Sequence, residues 1–169
     1  MAAGTISTLA SVARGSSARG RQPYFVEKSI DLAAAVTAKG SALEAGEIIQ
    51  AITVPANTMI MTAGFEITTV EGGNSADALM SLGVTGGDVD RFVGGFEIDA
   101  ADAPAGTYAT MADGSAPVII GGTADTIDLE LDSITTAPSD GVLRVFAILM
   151  DVDGLGDMTA DEVDRDTLA

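Results

Sequence analysis

The chain has 169 residues, 47% of them hydrophobic, and a net charge of −17 with no His, Cys or Trp. A domain of this size buries roughly 70% of the surface its unfolded chain exposes, so one domain with a real core is expected rather than a disordered polar chain. The missing residue types exclude histidine acid–base catalysis, cysteine nucleophiles, Cys- or His-built zinc sites and disulfides, leaving Ser–Lys pairs, carboxylate pairs and Asp/Glu metal sites.

No apolar run approaches the ~18 residues of a membrane span, so no membrane partner is expected. The charge is uneven along the chain. Residues 1–28 hold Arg14, Arg19, Arg21 and Lys28 against Glu27, a balance of +3; the remaining 141 residues carry four bases and 24 acids, a balance of −20. So acidic a body repels phosphate, and no nucleic-acid partner is expected.

The first segment, MAAGTISTLASVARGSSARGRQPYF, is rich in Ser, Ala, Gly and Arg and lacks acids. Its composition matches an organellar transit peptide, but its apolar cluster is too short for a secretory signal. The favoured reading is an extended basic N-terminal arm over 1–28 that docks on an acidic surface, its own body or a neighbour's. Its contact set is Arg14, Arg19, Arg21, Tyr24 and Phe25. Extended, it could reach roughly 90 Å, against a body radius of gyration of about 14 Å.

The next stretch, DLAAAVTAKGSALEAGE, combines helix formers with interrupting Gly40 and Gly46, and reads as a short helix or a loop. Beyond it, period-two patterning dominates, the signature of half-buried strands. EIIQAITV groups Ile48, Ile52 and Val54. TMIMTAGFEIT groups Met59, Met61, Ala63, Phe65 and Ile67, which places the methionines in the core. RFVGGFEID points Phe92, Phe96 and Ile98 inward and Glu97 and Asp99 outward. TIDLEL sets Ile127, Leu129 and Leu131 against Asp128, Glu130 and Asp132.

VLRVFAILM is apolar on both faces apart from Arg144. It reads as a central strand covered on both sides, or one whose outer face meets a neighbouring subunit. All five prolines and the pairs Gly72–Gly73, Gly86–Gly87, Gly121–Gly122 and Asp140–Gly141 fall between these runs. Pro cannot donate to a central ladder and Gly supplies turn geometry. Eight or nine strands so spaced predict an all-β antiparallel β-sandwich or jelly-roll-like domain over 29–151, followed by an acidic tail over 152–169.

At the start of that tail, DVDGLGDMTADE places Asp151, Asp153, Gly156 and Glu162 on EF-hand positions. Leu155 removes one ligand, and an EF-hand needs a helix before its loop, where this chain has its most strand-like residues. The favoured reading is a strand end and a solvated acidic tail, with no metal and no cofactor. GVTGGDVDRF reads as a turn between strands rather than an ion loop. Glu97 and Asp99 share one polar face and lack the aromatic platforms of a glycosidase cleft. Neither Lys28 nor Lys39 has S-x-x-K spacing, and no nucleotide fingerprint occurs. No catalytic residue is expected, and the protein is not read as an enzyme.

ALEAGEIIQAITVPANTMIMTAGFEITTVEG, SLGVTGGDVDRFVGG, AGTYATM and GVLRVFAILMD together resemble small structural proteins of tailed bacteriophages, the head decoration or cement proteins. The resemblance runs from about Ile30 to Asp151 and leaves out the arm and the tail. It implies an all-β protein of the virion, on the outer capsid surface, that binds the major capsid protein and bridges capsomers against internal DNA pressure. It also implies self-association, commonly as a homotrimer, with the arm as a staple between subunits. The alternative is a head-fibre, tail or adhesin-type component that binds host-surface glycans.

Overall fold

The computed structural model describes residues 5–6, 11–12, 22–72, 77–99, 103–112 and 115–152. These form eleven strands and one helix: β1 (Thr5–Ile6), β2 (Ser11–Val12), β3 (Tyr24–Asp31), α1 (Leu32–Lys39), β4 (Glu47–Val54), β5 (Thr58–Thr69), β6 (Leu79–Val84), β7 (Val93–Glu97), β8 (Tyr108–Thr110), β9 (Val118–Ile119), β10 (Asp125–Ser133) and β11 (Val142–Asp151). The first sheet runs β1-β4-β10-β6-β7, with β2 also on β4; the second runs β3-β11-β5-β8, with β9 also on β5. Short β1 and β2 lie parallel to β4, and the other pairings are antiparallel. The expected sandwich is therefore present. Tyr24 to Lys28, read as the end of the arm, form the first part of β3 and pair with β11.

Alternation builds the core. Ile49, Ile52, Val54, Met80, Leu82, Ile127, Leu129 and Leu131 from the first sheet meet Ile30, Ile60, Phe65, Ile67, Leu143, Val145 and Leu149 from the second, all buried. Each such side chain contributes about 1.5–3 kcal/mol of transfer free energy. Phe65 and Phe96 meet edge to face, their centroids 5.6 Å apart at 87°; Phe96 is half-buried, while Phe92 and Ile98 are fully inside as expected.

Three groupings read from period two are overturned, two of them by strand bulges. On β5, Leu149 pairs with Ile60 and Ile148 with Thr62, so Met61 is an extra residue. An extra residue reverses the parity of everything on one side of it. Ile60 is therefore inside together with Ala63, Phe65 and Ile67, while Met59 is half-buried and Met61 is 37% exposed. The methionines are not a core stripe. On β4, Ile127 faces Ile52 and Asp128 faces Gln50, which makes Ala51 the extra residue. Ile49 takes the core position and Ile48 is half-buried. Asp128, on the face expected to be wet, is 1% exposed.

The ambiguous stretch contains α1. Asp31 caps its start, accepting from the amides of Ala33 at 2.9 Å and Ala34 at 3.2 Å. Gly40, at φ 78°, closes it in the left-handed conformation. Lys39 of the last turn pairs with the carboxylate of Glu47, which also accepts from the Glu44 amide at 2.8 Å. That pairing lets Glu47 sit at 2% exposure at the start of β4.

The β6–β7 connection, residues 85–92, folds back over the first sheet. The Val84 amide donates to the Asp88 carbonyl at 3.3 Å and the Phe92 amide to the Leu82 carbonyl at 2.8 Å. A Cβ on Gly83 would lie 2.1 Å from the Asp88 carbonyl oxygen and 2.4 Å from the Val89 carbonyl carbon. The loop can lie this close only because residue 83 has no side chain. Gly83→Ala is expected to cost about 1–3 kcal/mol, the usual penalty of overpacking. Urea unfolding checks it, and an unchanged midpoint contradicts the packing described.

Candidate interaction surface

The two outer faces of the sandwich differ in chemistry. The outer face of the second sheet is apolar. β11 alternates, sending Leu143, Val145, Ala147 and Leu149 into the core and leaving Arg144, Phe146, Ile148 and Met150 half-buried on the other side. The register sets Phe25 opposite Ile148, Met59 opposite Met150 and Ile119 opposite Met59. The four large hydrophobic side chains counted as exposed among the described residues all belong to this sheet: Phe25 at 59%, Tyr108 at 53%, Ile119 at 61%, and Met61.

An aromatic row crosses the strands. Phe25 stacks on Phe146 at 6.3 Å and 20°, and Tyr108 meets Phe146 at 6.3 Å and 61°. The Phe146 ring lies over Gly64, its partner on β5: a Cβ there would come within 2.8 Å of the ring tip and 2.6 Å of the Ala109 carbonyl oxygen. Cross-strand glycine beneath an aromatic ring is a known means of covering exposed backbone.

Above this row sits one cation. Arg144 pairs with Glu66, lies 3.6 Å from Glu27, and donates to the Tyr108 hydroxyl at 3.5 Å. The hydrogen bond to Glu66, together with both carboxylates, holds the guanidinium above its ordinary value against the desolvation that opposes it. The arginine offsets one of the two carboxylates, so a slight negative charge remains here, and its Nε is buried with no hydrogen-bond partner among the described residues.

The outer face of the first sheet is acidic. β10 places Asp128, Glu130 and Asp132 there, with Asp125 at its start and Asp88 and Asp90 in the loop above. Asp132 accepts from the Ser81 hydroxyl, and Asp128 from the Thr85 hydroxyl, which is 2.8 Å from that of Thr126. The second oxygen of Asp128 is buried with no hydrogen-bond partner among the described residues. Burial raises the Asp128 carboxyl above its ordinary value and nearby Asp125 adds to this, while Thr126 and Thr85 act the other way. Glu130 is raised by burial and by Asp132 and Asp90, and Asp88 chiefly by its hydrogen bond with Asp90. A neighbouring cleft of about 250 Å³ is lined by Gln50, Thr53, Thr85, Ala124, Asp125 and Thr126. It is smaller than the ~300–1,000 Å³ of most ligand pockets, and its lining pairs no nucleophile with a base.

Of the contact set read from sequence, Arg14, Arg19 and Arg21 lie outside the described residues. Tyr24 and Phe25 open β3 and diverge. Tyr24 is half-buried against the core, its phenol raised by that burial and by Asp151, with an opposing hydrogen bond to Thr58. Phe25 points outward into the aromatic row. Asp151 ends β11, so a strand leads into the calcium-like stretch; Asp153 and Glu162 lie outside the described residues, as do residues 7–10 and 13–21 between the short strands and β3. No group of three or more metal-type side chains is found among the described residues. Sequence patterning found Phe146, Ile148 and Met150 as a second apolar face, but missed Tyr108 and Ile119, which sit in short runs with no periodicity.

No protein-family model and no curated protein matches the chain. The fold is similar to that of solved structures. A chain in the structure of the cyanophage Pam1 capsid asymmetric unit aligns with a TM-score of 0.56 at 11% identity, covering 78% of this chain and 86% of that one. A chain in the capsid of Ralstonia phage GP4 aligns with a TM-score of 0.52 at 13% identity, covering 76% and 84%. At these identities the likeness is one of fold.

Asp128 gives this surface a pH dependence. Its carboxyl is raised in the folded state, so the folded chain binds that proton more tightly than the unfolded chain, whose value is near 3.8. The resulting stabilisation is fully present below that value and is lost as pH rises through the folded value. Between about pH 4 and 7, Asp128→Asn should gain stability relative to the parent, by at most about 1.4 kcal/mol per pH unit. Thermal melts across that range check this; a constant difference contradicts it.

Proposed function

We propose that this chain is a structural component of a phage capsid, and more specifically a decoration or cement protein. It binds the outer surface of the major capsid shell, bridges adjacent capsomers and associates with copies of itself, with the basic N-terminal segment as a strap. Its role is not enzymatic. The observation that carries this reading is the fold likeness to chains of two phage capsid structures, over more than three-quarters of this chain in each case.

Three physical features support it. The surface is divided into an apolar face and an acidic face, as suits a part that is built into something larger. The net charge of −17 suits the outside of a shell better than a lining pressed against DNA. The cleft beside Asp125, of about 250 Å³, has a lining that pairs no nucleophile with a base. A bridge of this kind works by adding interface area that must be broken before capsomers separate.

The experiment is composition and topology of purified phage particles. Mass spectrometry of gradient-banded virions is expected to find this chain in a fixed ratio to the major shell subunit, and brief protease treatment of intact particles is expected to remove it first. Its absence from particles, or binding of the purified chain on a glycan array together with tail localisation, contradicts the proposal.

A further inference from the structure

We infer that the outer face of the second sheet is the contact between copies of this chain. This deepens only the self-association part of the reading above; it concerns the purified chain and holds or fails whether or not a shell is the final partner.

The first argument is size. β11 has ten residues and the sheet is four strands across at that level. At ~3.3 Å per residue and ~4.8 Å per strand, the face measures roughly 33 by 19 Å, or about 600 Å². Two such faces together bury about 1,200 Å², the lower end of the range for specific interfaces. Arg144, Glu27 and Glu66 take part of that area, and the apolar remainder is of the size of the largest patches on soluble monomers, which are often functional.

The second argument is charge. Copies of a chain at −17 repel one another. Contact through the first sheet would bring Asp125, Glu130 and Asp132 of one copy against the same acids of the next. The second sheet offers Phe25, Phe146, Ile148, Met59, Met61 and Ile119, and its central charges, Glu27, Arg144 and Glu66, already neutralise one another in part. It is the face on which like copies meet with least repulsion. The tail over 153–169 is the competing occupant within the chain, but it carries six acids and one base. Laying it on a face that already holds Glu27 and Glu66 sets like charges together.

The third argument is shape. An apolar face needs no separate complementary patch, so the same surface serves both partners. Sheets stacked face to face sit about 10 Å apart with side chains interleaved. The aromatic row stands above the sheet and supplies such side chains, aromatic residues being the usual anchors of interfaces.

The test is sedimentation equilibrium of the full chain. The parent is expected to associate, and the double variant Phe25→Ser/Ile119→Ser to associate at least about tenfold more weakly. Both side chains are more than half exposed, so the variant should keep the parent's circular dichroism and melting behaviour. Asp88→Asn, on the acidic side, should associate as the parent does or more tightly. Added salt should preserve or strengthen association through an apolar face, whereas a complex held by the basic arm weakens as salt screens it. A monomeric parent overturns the inference. So does a folded double variant that associates unchanged, or a parent complex that dissolves at about 1 M salt.

Discussion

β11 pairs along its length with β3 on one side and β5 on the other, partners more than a hundred and more than seventy residues earlier in the chain. This non-local pairing fixes the second sheet, and the second sheet fixes the rest. The inward face of β11 supplies the floor of the core, against which β4, β6 and β10 pack from the opposite sheet. Its outward face supplies Phe146, Ile148 and Met150, which with their neighbours make the apolar surface. Both properties come from one strand that is apolar on each side. The chain crosses between sheets at most connections; among the described strands, β1–β2, β6–β7 and β8–β9 stay within one sheet, and of these only β6 and β7 pair directly with each other. Such wiring postpones the reward of pairing until distant segments meet, so slow folding is the physical expectation.

The two outer faces divide the work of the surface. On one, a single arginine offsets part of the charge of two carboxylates and donates to a phenol, so the aromatics around it lie in a weaker field than the acids of the other face create. On the other, a loop held close by Gly83 lies over Asp128 and keeps its carboxyl out of water. Two conditions coexist in one small domain: a face that favours contact and a face whose acids discourage it. For the self-association proposed above that asymmetry matters, because the same charge that keeps free copies dispersed leaves one face open to contact. The segregation of the surface is an observation independent of the fold likeness to two capsid chains, which at 11% and 13% identity is one of fold alone.

Much of this was legible in the residues. Alternation in TIDLEL and the double-sided apolarity of VLRVFAILM announced strands, and Pro and Gly marked their ends, because backbone pairing and turn geometry impose those choices locally. What the pattern could not show was the count of residues between paired positions. A single extra residue at Met61 moved Met61 to the surface and left Met59 half-buried on the outer side, and another at Ala51 exchanged Ile48 for Ile49. A bulge depends on the partner strand, so nothing in the local pattern signals it. The burial of Asp128 was hidden for a related reason: it comes from a loop some forty residues earlier in the chain. Tyr108 and Ile119 lie on strands of three and two residues, too short for any period to show. The helix at Leu32–Lys39 was half-visible: its helix formers stood out, but the glycines around it left helix and loop both open, and the cap at Asp31 came only with the structure.

The claim on which the account rests is that the apolar face of the second sheet is covered when the protein assembles. Oxidative footprinting of the methionines measures this directly, because thioether oxidation follows exposure. Met80 is fully buried in the core and Met61 stands on the outer face. Met80 should resist oxidation in every state, whereas Met61, with half-buried Met59 and Met150 beside it, should react in dilute chain and become protected in the assembled form. Equal reactivity of Met61 in both states, with Met80 still protected, would contradict the account.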